Sequence, residues 1–167
     1  MSDTHEDLQV AFAGENQASR KYLFFAEAAE EGGDWQVARL FRAAAEAETV
    51  HARNHLGVMG GIRSTKENLE AAISGENYEF TEMYPAFIKQ AESENNKAAQ
   101  RSFDLANRVE QIHHALFQKA LRHVESGEPL GDQPYFVCPV CGNTVEREAP
   151  ERCPICGAPR NRFKKVE

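Results

Sequence analysis

Between residues 4 and 126 the chain alternates apolar and polar positions at helical rather than strand spacing, in four stretches separated by short breaks. The first predicted helix runs from about Thr4 to Glu31, carries Ala18, Ala26, Ala28 and Ala29, and leaves through Gly32-Gly33. Asp34 is placed to cap the second, which passes through Trp35, Leu40, Phe41 and Val50 and ends near Val58, before Gly60-Gly61. Ser64 followed by Glu67 reads as a capping box for the third helix, which continues through Leu69, Ile73 and Phe80. Pro85 cannot bond back to Thr81, so a kink is expected there. After the polar break "SENN" a fourth helix carries Phe103, Val109, Ile112, Leu116 and Leu121. The expected organisation is therefore a four-helix bundle over 1–126, a Gly/Pro linker over 127–134, and a compact terminal unit over 135–167.

The helical part repeats itself. "AFAGEN" at 11–16 matches "AISGEN" at 72–77 with an offset of 61, whereas Tyr22/Tyr84, Phe41/Phe103, Glu48/Glu110 and His51/His113 match with an offset of 62. Each half is a helix pair with one Glu on its first helix and a Glu-x-x-His on its second. On a helix, positions three apart differ by about 300° in rotation, so each Glu and His share a face.

Under pseudo-twofold packing, Glu15, Glu48, His51, Glu76, Glu110 and His113 converge on the interior. Such a group is ruinous without a partner, because a buried carboxylate costs several kcal/mol to desolvate. Two divalent cations offset that cost, and this donor set is the one known from di-iron and di-manganese carboxylate bundles. The bland alternative is a set of solvated i,i+3 surface pairs, which serves well for one pair and poorly for two in register.

Glu79 breaks the symmetry, for its counterpart is Ala18. As a seventh donor it would let one metal change partners with oxidation state; otherwise it is a solvated carboxylate. Tyr22 and Tyr84 fall about two turns beyond Glu15 and Glu76 and either donate hydrogen bonds to the carboxylates or simply fill the core. His114 is rotated by about 100° from His113 and should miss the metals. His55, His5 and His123 are read as peripheral, and Trp35 as a packing residue.

All four cysteines lie in "CPVCGNTVEREAPERCPICG", as two CxxC pairs. Two knuckles, each with Gly after the second Cys, fold four thiolates around one metal. A zinc ribbon and a single iron both fit that spacing. Paired thiols fit a reducing cytoplasm, and the N-terminal residues lack a secretory pattern. The net charge of -7 and pI of about 5.4 argue against nucleic acid or anionic lipid, and no apolar run is long enough to span a bilayer.

With these residues in view, the whole chain resembles the rubrerythrin family: a ferritin-like di-iron bundle followed by a rubredoxin-like iron-tetracysteine unit. The match rests on "AFAGENQ", "ETVH", "GENYEFTEMYP", "EQIH" and Cys138, Cys141, Cys153 and Cys156. The resemblance implies a peroxidase of oxidative-stress defence, reducing hydrogen peroxide to water at two irons. Electrons arrive through the tetracysteine iron from a donor protein, a rubredoxin or a nicotinamide-linked reductase. It also implies that Glu79 and His51 exchange at one iron during turnover. Zinc can substitute for iron, and a ferritin-type iron-handling protein with a structural zinc ribbon is the competing reading. Asn143 departs from the pattern, standing where rubredoxin-like units usually carry Tyr.

The connection between the halves is also short. His51 lies about 11 Å before the end of the second helix and Glu76 about 17 Å after the start of the third, so a link within one bundle must climb roughly 28 Å. Val58 to Thr65 reaches only about 24 Å fully extended. A helix-swapped homodimer is therefore expected, with each di-iron site sharing donors from two chains.

Overall fold

The protein is described by a computed structural model over residues 3–166. Its helices are α1 (Thr4–Glu31), α2 (Trp35–Val58), α3 (Thr65–Tyr78), α4 (Tyr84–Ser93) and α5 (Lys97–Ser126), with a π-helical segment, Glu79–Met83, joining α3 to α4. Three short strands follow, β1 (Tyr135–Val137), β2 (Thr144–Glu146) and β3 (Lys164–Val166). The fold class is mainly α, of the ferritin-like four-helix kind, with a small C-terminal β unit. The chain divides into two compact units between Arg63 and Ser64.

The first unit is the α1–α2 hairpin. Asp3 opens α1 with a capping box that includes Glu6. The buried positions are Ser19 and Ala26 on α1 and Ala38, Ala45 and Ala52 on α2, all small and spaced by seven. Small residues at that spacing let two helices approach closely along one seam. Ser19 fits because its hydroxyl donates to the Ala45 carbonyl at 3.1 Å. Larger apolar side chains point elsewhere: Phe24, Trp35, Leu40 and Val50 are all more than half exposed. Asp34 stands at the start of α2 but its side chain accepts no capping bond, contrary to expectation. Its backbone is held in the tight turn by an Asp34 N–H bond to the Ala29 carbonyl, at φ -86° and ψ 58°, so it lacks the extended conformation of a working cap.

The second unit contains α3, the π segment and α4 packed on α5, followed by the sheet. The Ser64–Glu67 capping box is present. The backbone irregularity, however, falls before Pro85 rather than at it. The Tyr84 N–H bonds to the Glu79 carbonyl, five residues back, and Pro85 sits in the first turn of α4. A proline with no N–H to offer Thr81 is accommodated by widening the preceding turn. The widened turn also holds one extra residue. The repeat offset steps from 61 to 62 between Asn77 and Tyr84, and the π segment lies in that interval.

In the terminal part β1 pairs antiparallel with both neighbours, in the order β2-β1-β3. Each cysteine knuckle closes on a glycine: the Gly142 N–H bonds to the Cys138 carbonyl at 2.8 Å and Gly157 N–H to the Cys153 carbonyl at 2.9 Å. Both glycines are left-handed, at φ +84° and +80°, where a side chain would be strained. This part rests on α5. Lys119 pairs with Glu146 at 2.6 Å, and Arg108 donates to the carbonyls of Ile155 and Pro154. No helix among the described residues is long and apolar enough to cross a membrane.

Candidate metal centres

Each unit gathers one half of the predicted carboxylate set. In the first, Glu15 on α1 and Glu48 and His51 on α2 bring donor atoms within 4.8 Å of one another; in the second, Glu76 on α3 and Glu110 and His113 on α5 do the same. The two halves are congruent. His51 Nδ1 stands 2.8 Å from Glu48 Oε2 and 3.9 Å from Glu15 Oε1. His113 Nδ1 stands 2.8 Å from Glu110 Oε2 and 3.9 Å from Glu76 Oε1. Two donors on adjacent corners of one metal, with bonds near 2.1 Å, lie about 3.0 Å apart, so the His–Glu pair at 2.8 Å in each trio has the spacing of neighbouring ligands on one cation.

Electrostatics in the second half point the same way. Burial, with the Glu110 charge behind it, pushes the Glu76 carboxyl up to about 7. Burial and the same neighbour raise Glu79, and His113 partly opposes the rise. Carboxyls crowded this way hold protons that a divalent cation would displace. A cavity of about 520 Å³ opens beside Glu76 and His113, lined also by Leu69, Phe117, Tyr135 and Thr144.

The tyrosines head two matching aromatic clusters. Tyr22 lies 6.3 Å from Phe25 and 6.0 Å from Phe41, and Tyr84 lies 6.3 Å from both Phe87 and Phe103, measured between ring centroids. Desolvation raises the Tyr84 hydroxyl, and the charges of Glu110, Glu79 and Glu76 add to the rise. His114 turns away from the carboxylates and meets the Phe80 ring edge-on at 5.3 Å. His5 contacts Gln9, and Trp35 is exposed.

Cys138, Cys141, Cys153 and Cys156 form a third cluster. Cys138 and Cys156 sulfurs are 3.6 Å apart, as are those of Cys141 and Cys153, and all four are free thiols. A metal–sulfur bond of about 2.3 Å in a tetrahedron requires edges of about 3.8 Å, so the spacing fits a metal and excludes disulfides. Burial raises the Cys141 and Cys156 thiols. Burial acts on Cys153 too, but N–H bonds from Cys156 and Ile155, together with the neighbouring Cys141 and Cys156 thiols, outweigh it and bring that thiol down to about 7. Asn143 is fully buried; its Nδ2 donates to Cys153 Sγ at 3.6 Å and its backbone carbonyl accepts the Cys138 N–H.

One residue near the carboxylates escaped the sequence reading. Thr144 Oγ1 lies 3.0 Å from His113 Nε2. Nothing local to the sequence signals it, because the contact joins residues 31 apart.

Congruent Glu and Glu-x-x-His trios on helical hairpins, with an attached tetrathiolate site, define a dimetal carboxylate protein that carries a separate thiolate-bound metal. A family model described as Rubrerythrin matches residues 6–121, and another, described as Rubrerythrin, rubredoxin-like domain, matches residues 136–164. The chain belongs to the rubrerythrin family. It is 36% identical to the rubrerythrin of Porphyromonas gingivalis, over 99% of this chain and 91% of that protein. It is 34% identical to rubrerythrin-2 of Clostridium acetobutylicum, over 96% and 95%. A nigerythrin structure in a mixed-valence state aligns with a TM-score of 0.59 at 35% identity, covering 99% of this chain and 88% of that one. The cofactors are those of the family: a di-iron site served by the Glu/His clusters, and a rubredoxin-like tetracysteine iron site.

Proposed function

We propose that this oxidoreductase is a hydrogen peroxide reductase of oxidative-stress defence, converting H2O2, two electrons and two protons to two waters at the di-iron site. The observation that carries this reading is Glu79. A raised carboxyl beside Glu76, Glu110 and His113, without a counterpart in the other half, is of no use to storage and suits a site that moves protons and changes donors. When bound, the irons supply two electrons for O–O cleavage. Glu15, Glu48, His51, Glu76, Glu110 and His113 hold them, with Glu79 joining in the oxidised form. Tyr22 and Tyr84 orient carboxylates from within their aromatic clusters. Cys138, Cys141, Cys153 and Cys156 hold the iron that relays electrons from a rubredoxin or a nicotinamide-linked reductase. Such a reaction belongs in the cytoplasm, where thiols stay reduced. The metal-binding parts correspond to a bundle over 1–126 and a rubredoxin-like domain over 135–167, joined by 127–134.

Rapid mixing of the reduced protein with peroxide should reoxidise the di-iron site far faster than mixing with oxygen. Equal or faster oxidation by oxygen overturns the peroxidase reading. A colourless protein from its native source, with one zinc in the cysteine site, favours the iron-handling alternative.

The same reading includes a helix-swapped homodimer in which each di-iron site takes Glu15, Glu48 and His51 from one chain and Glu76, Glu79, Glu110 and His113 from its partner. Helix α2 ends at Val58 and α3 begins at Thr65, and the link must span the distance between them. Part of the link is also spent: the Gly60 and Gly61 N–H groups fold back onto the carbonyls of Gly57 and Leu56. Co-expression of an E15A/E48A chain with an E76A/E110A chain tests the swap. A swapped mixed dimer retains one complete site and peroxidase activity, whereas an unswapped one has neither.

A further inference from the structure

The His113–Thr144 contact assigns each atom a role. The Thr144 hydroxyl donates its proton to the Gly142 carbonyl at 3.1 Å, so its oxygen is left to accept. Without a metal His113 Nδ1 donates to the Glu110 carboxylate at 2.8 Å; once Nδ1 is given to a metal, Nε2, 3.0 Å from Thr144 Oγ1, carries the ring proton and donates it there. An imidazole protonated on Nε2 has its lone pair on Nδ1, and Nδ1 is the nitrogen that faces Glu110 and Glu76.

We propose that Thr144 is a positioning residue for the di-iron site. Its side chain fixes the tautomer and ring plane of His113 and thereby couples the cysteine-bearing unit to one half of the carboxylate cluster. The proposal rests on the metal site rather than on the peroxidase reading.

Three further observations support it. Thr144 is anchored on its own side, because Asn143, the preceding residue, bonds Cys153 Sγ through its amide and Cys138 N–H through its carbonyl. The strand that carries Thr144 is clamped to α5 by Lys119 and Glu146, so Thr144 is delivered rather than free to swing. Gly142, whose carbonyl takes the Thr144 proton, packs against α5 closely enough that a side chain there would meet Val109. The other half-site has no equivalent. Among the described residues His51 Nε2 has no hydrogen-bond partner, and the His51 side chain is 54% exposed against 27% for His113. One imidazole is gripped at both nitrogens and the other at one.

The test uses the full chain loaded with zinc, which is diamagnetic, and follows the imidazole N–H protons by NMR. In the wild type the His113 Nε2 proton should be protected from solvent exchange, while that of His51 exchanges freely and serves as an internal control. Thr144→Val keeps the shape and removes the acceptor, so protection at His113 should be lost. Zinc affinity at that half should fall about 10- to 100-fold, the usual effect of removing the partner of a ligating histidine. Thr144→Ser should restore both. Cobalt bound at the four cysteines reports whether the terminal unit stays folded; if Thr144→Val disturbs that spectrum, the serine variant against Thr144→Ala decides. Retained protection and affinity in the variants without a hydroxyl overturn the proposal, as does coordination of zinc by His113 Nε2. None of these readouts involves peroxide, so a failed peroxidase assignment leaves the outcome intact.

Discussion

The two half-sites share every donor distance quoted above and differ in what surrounds them. Glu15, Glu48 and His51 lie on an uninterrupted helical hairpin whose apolar side chains are largely exposed. Glu76, Glu110 and His113 lie beside a widened turn, an extra carboxylate and a docked cysteine unit. Identical inner geometry with unequal support means that the halves are alike in what they hold and unlike in how freely they move. A histidine held at one nitrogen can leave a metal; one held at both cannot do so without breaking a second bond. The proposed exchange of His51 with Glu79 requires such an inequality.

The largest effect should come from the extra carboxylate. Glu79→Ala is expected to lower peroxide turnover by about 100-fold or more while leaving iron content unchanged, as suits a group that moves protons or joins the site during turnover. Placing the mirrored carboxylate, Ala18→Glu, should leave turnover unchanged. Equal effects in steady-state assays would erase the distinction between the halves.

A smaller effect concerns pH. In the metal-free protein the Glu76 carboxyl titrates at about 7 rather than at its ordinary 4.5. Between those values the folded state keeps a proton that the unfolded chain has lost. Stability should therefore fall as pH rises from about 4.5 to about 7 and then level off. Thermal melts of the metal-free protein should show that slope, and Glu76→Gln should flatten it. Bound metal should abolish it, since the cation replaces the proton, and metal affinity should rise over the same interval. A slope unchanged by Glu76→Gln would assign it to other groups.

The smallest difference lies at the entrances to α2 and α3. Ser64→Ala removes a working capping box and should cost about 1 kcal/mol in urea denaturation. Asp34→Ala removes a side chain that caps nothing and should stay within about 0.5 kcal/mol. Reversed magnitudes would mean that the Asp34 carboxylate acts on its helix without a direct bond.

Periodic features of the molecule were legible in the sequence. The ends of α1, α2 and α5 follow from glycines, caps and apolar spacing, and the two Glu-x-x-His pairs announce themselves because they recur. The cysteine knuckles are set by local chain geometry and were equally plain. What escaped depended on three-dimensional detail. Asp34 has the right residue type for a cap, but the turn before it fixes a backbone angle that misdirects the side chain. Pro85 correctly signalled an irregular helix, yet where it falls is decided by which carbonyls can still find donors. Thr144 is an ordinary strand residue until β2 settles on α5.

The π segment governs the orientation of the helix beyond it. In an α-helix one added residue rotates everything beyond it by about 100°. Here the rotation has been cancelled on the spot, for Phe87 and Phe103 stand 5.5 Å apart just as Phe25 and Phe41 do. The second half thus carries one residue more than the first between its leading Glu and its Tyr, and the widened turn keeps that residue from rotating the rest of the helix. That half carries Glu79 as a carboxylate in addition to Glu76 and Glu110. Deleting one residue between Asn77 and Tyr84 would remove that difference in length and leave the docked cysteine unit still distinguishing the halves.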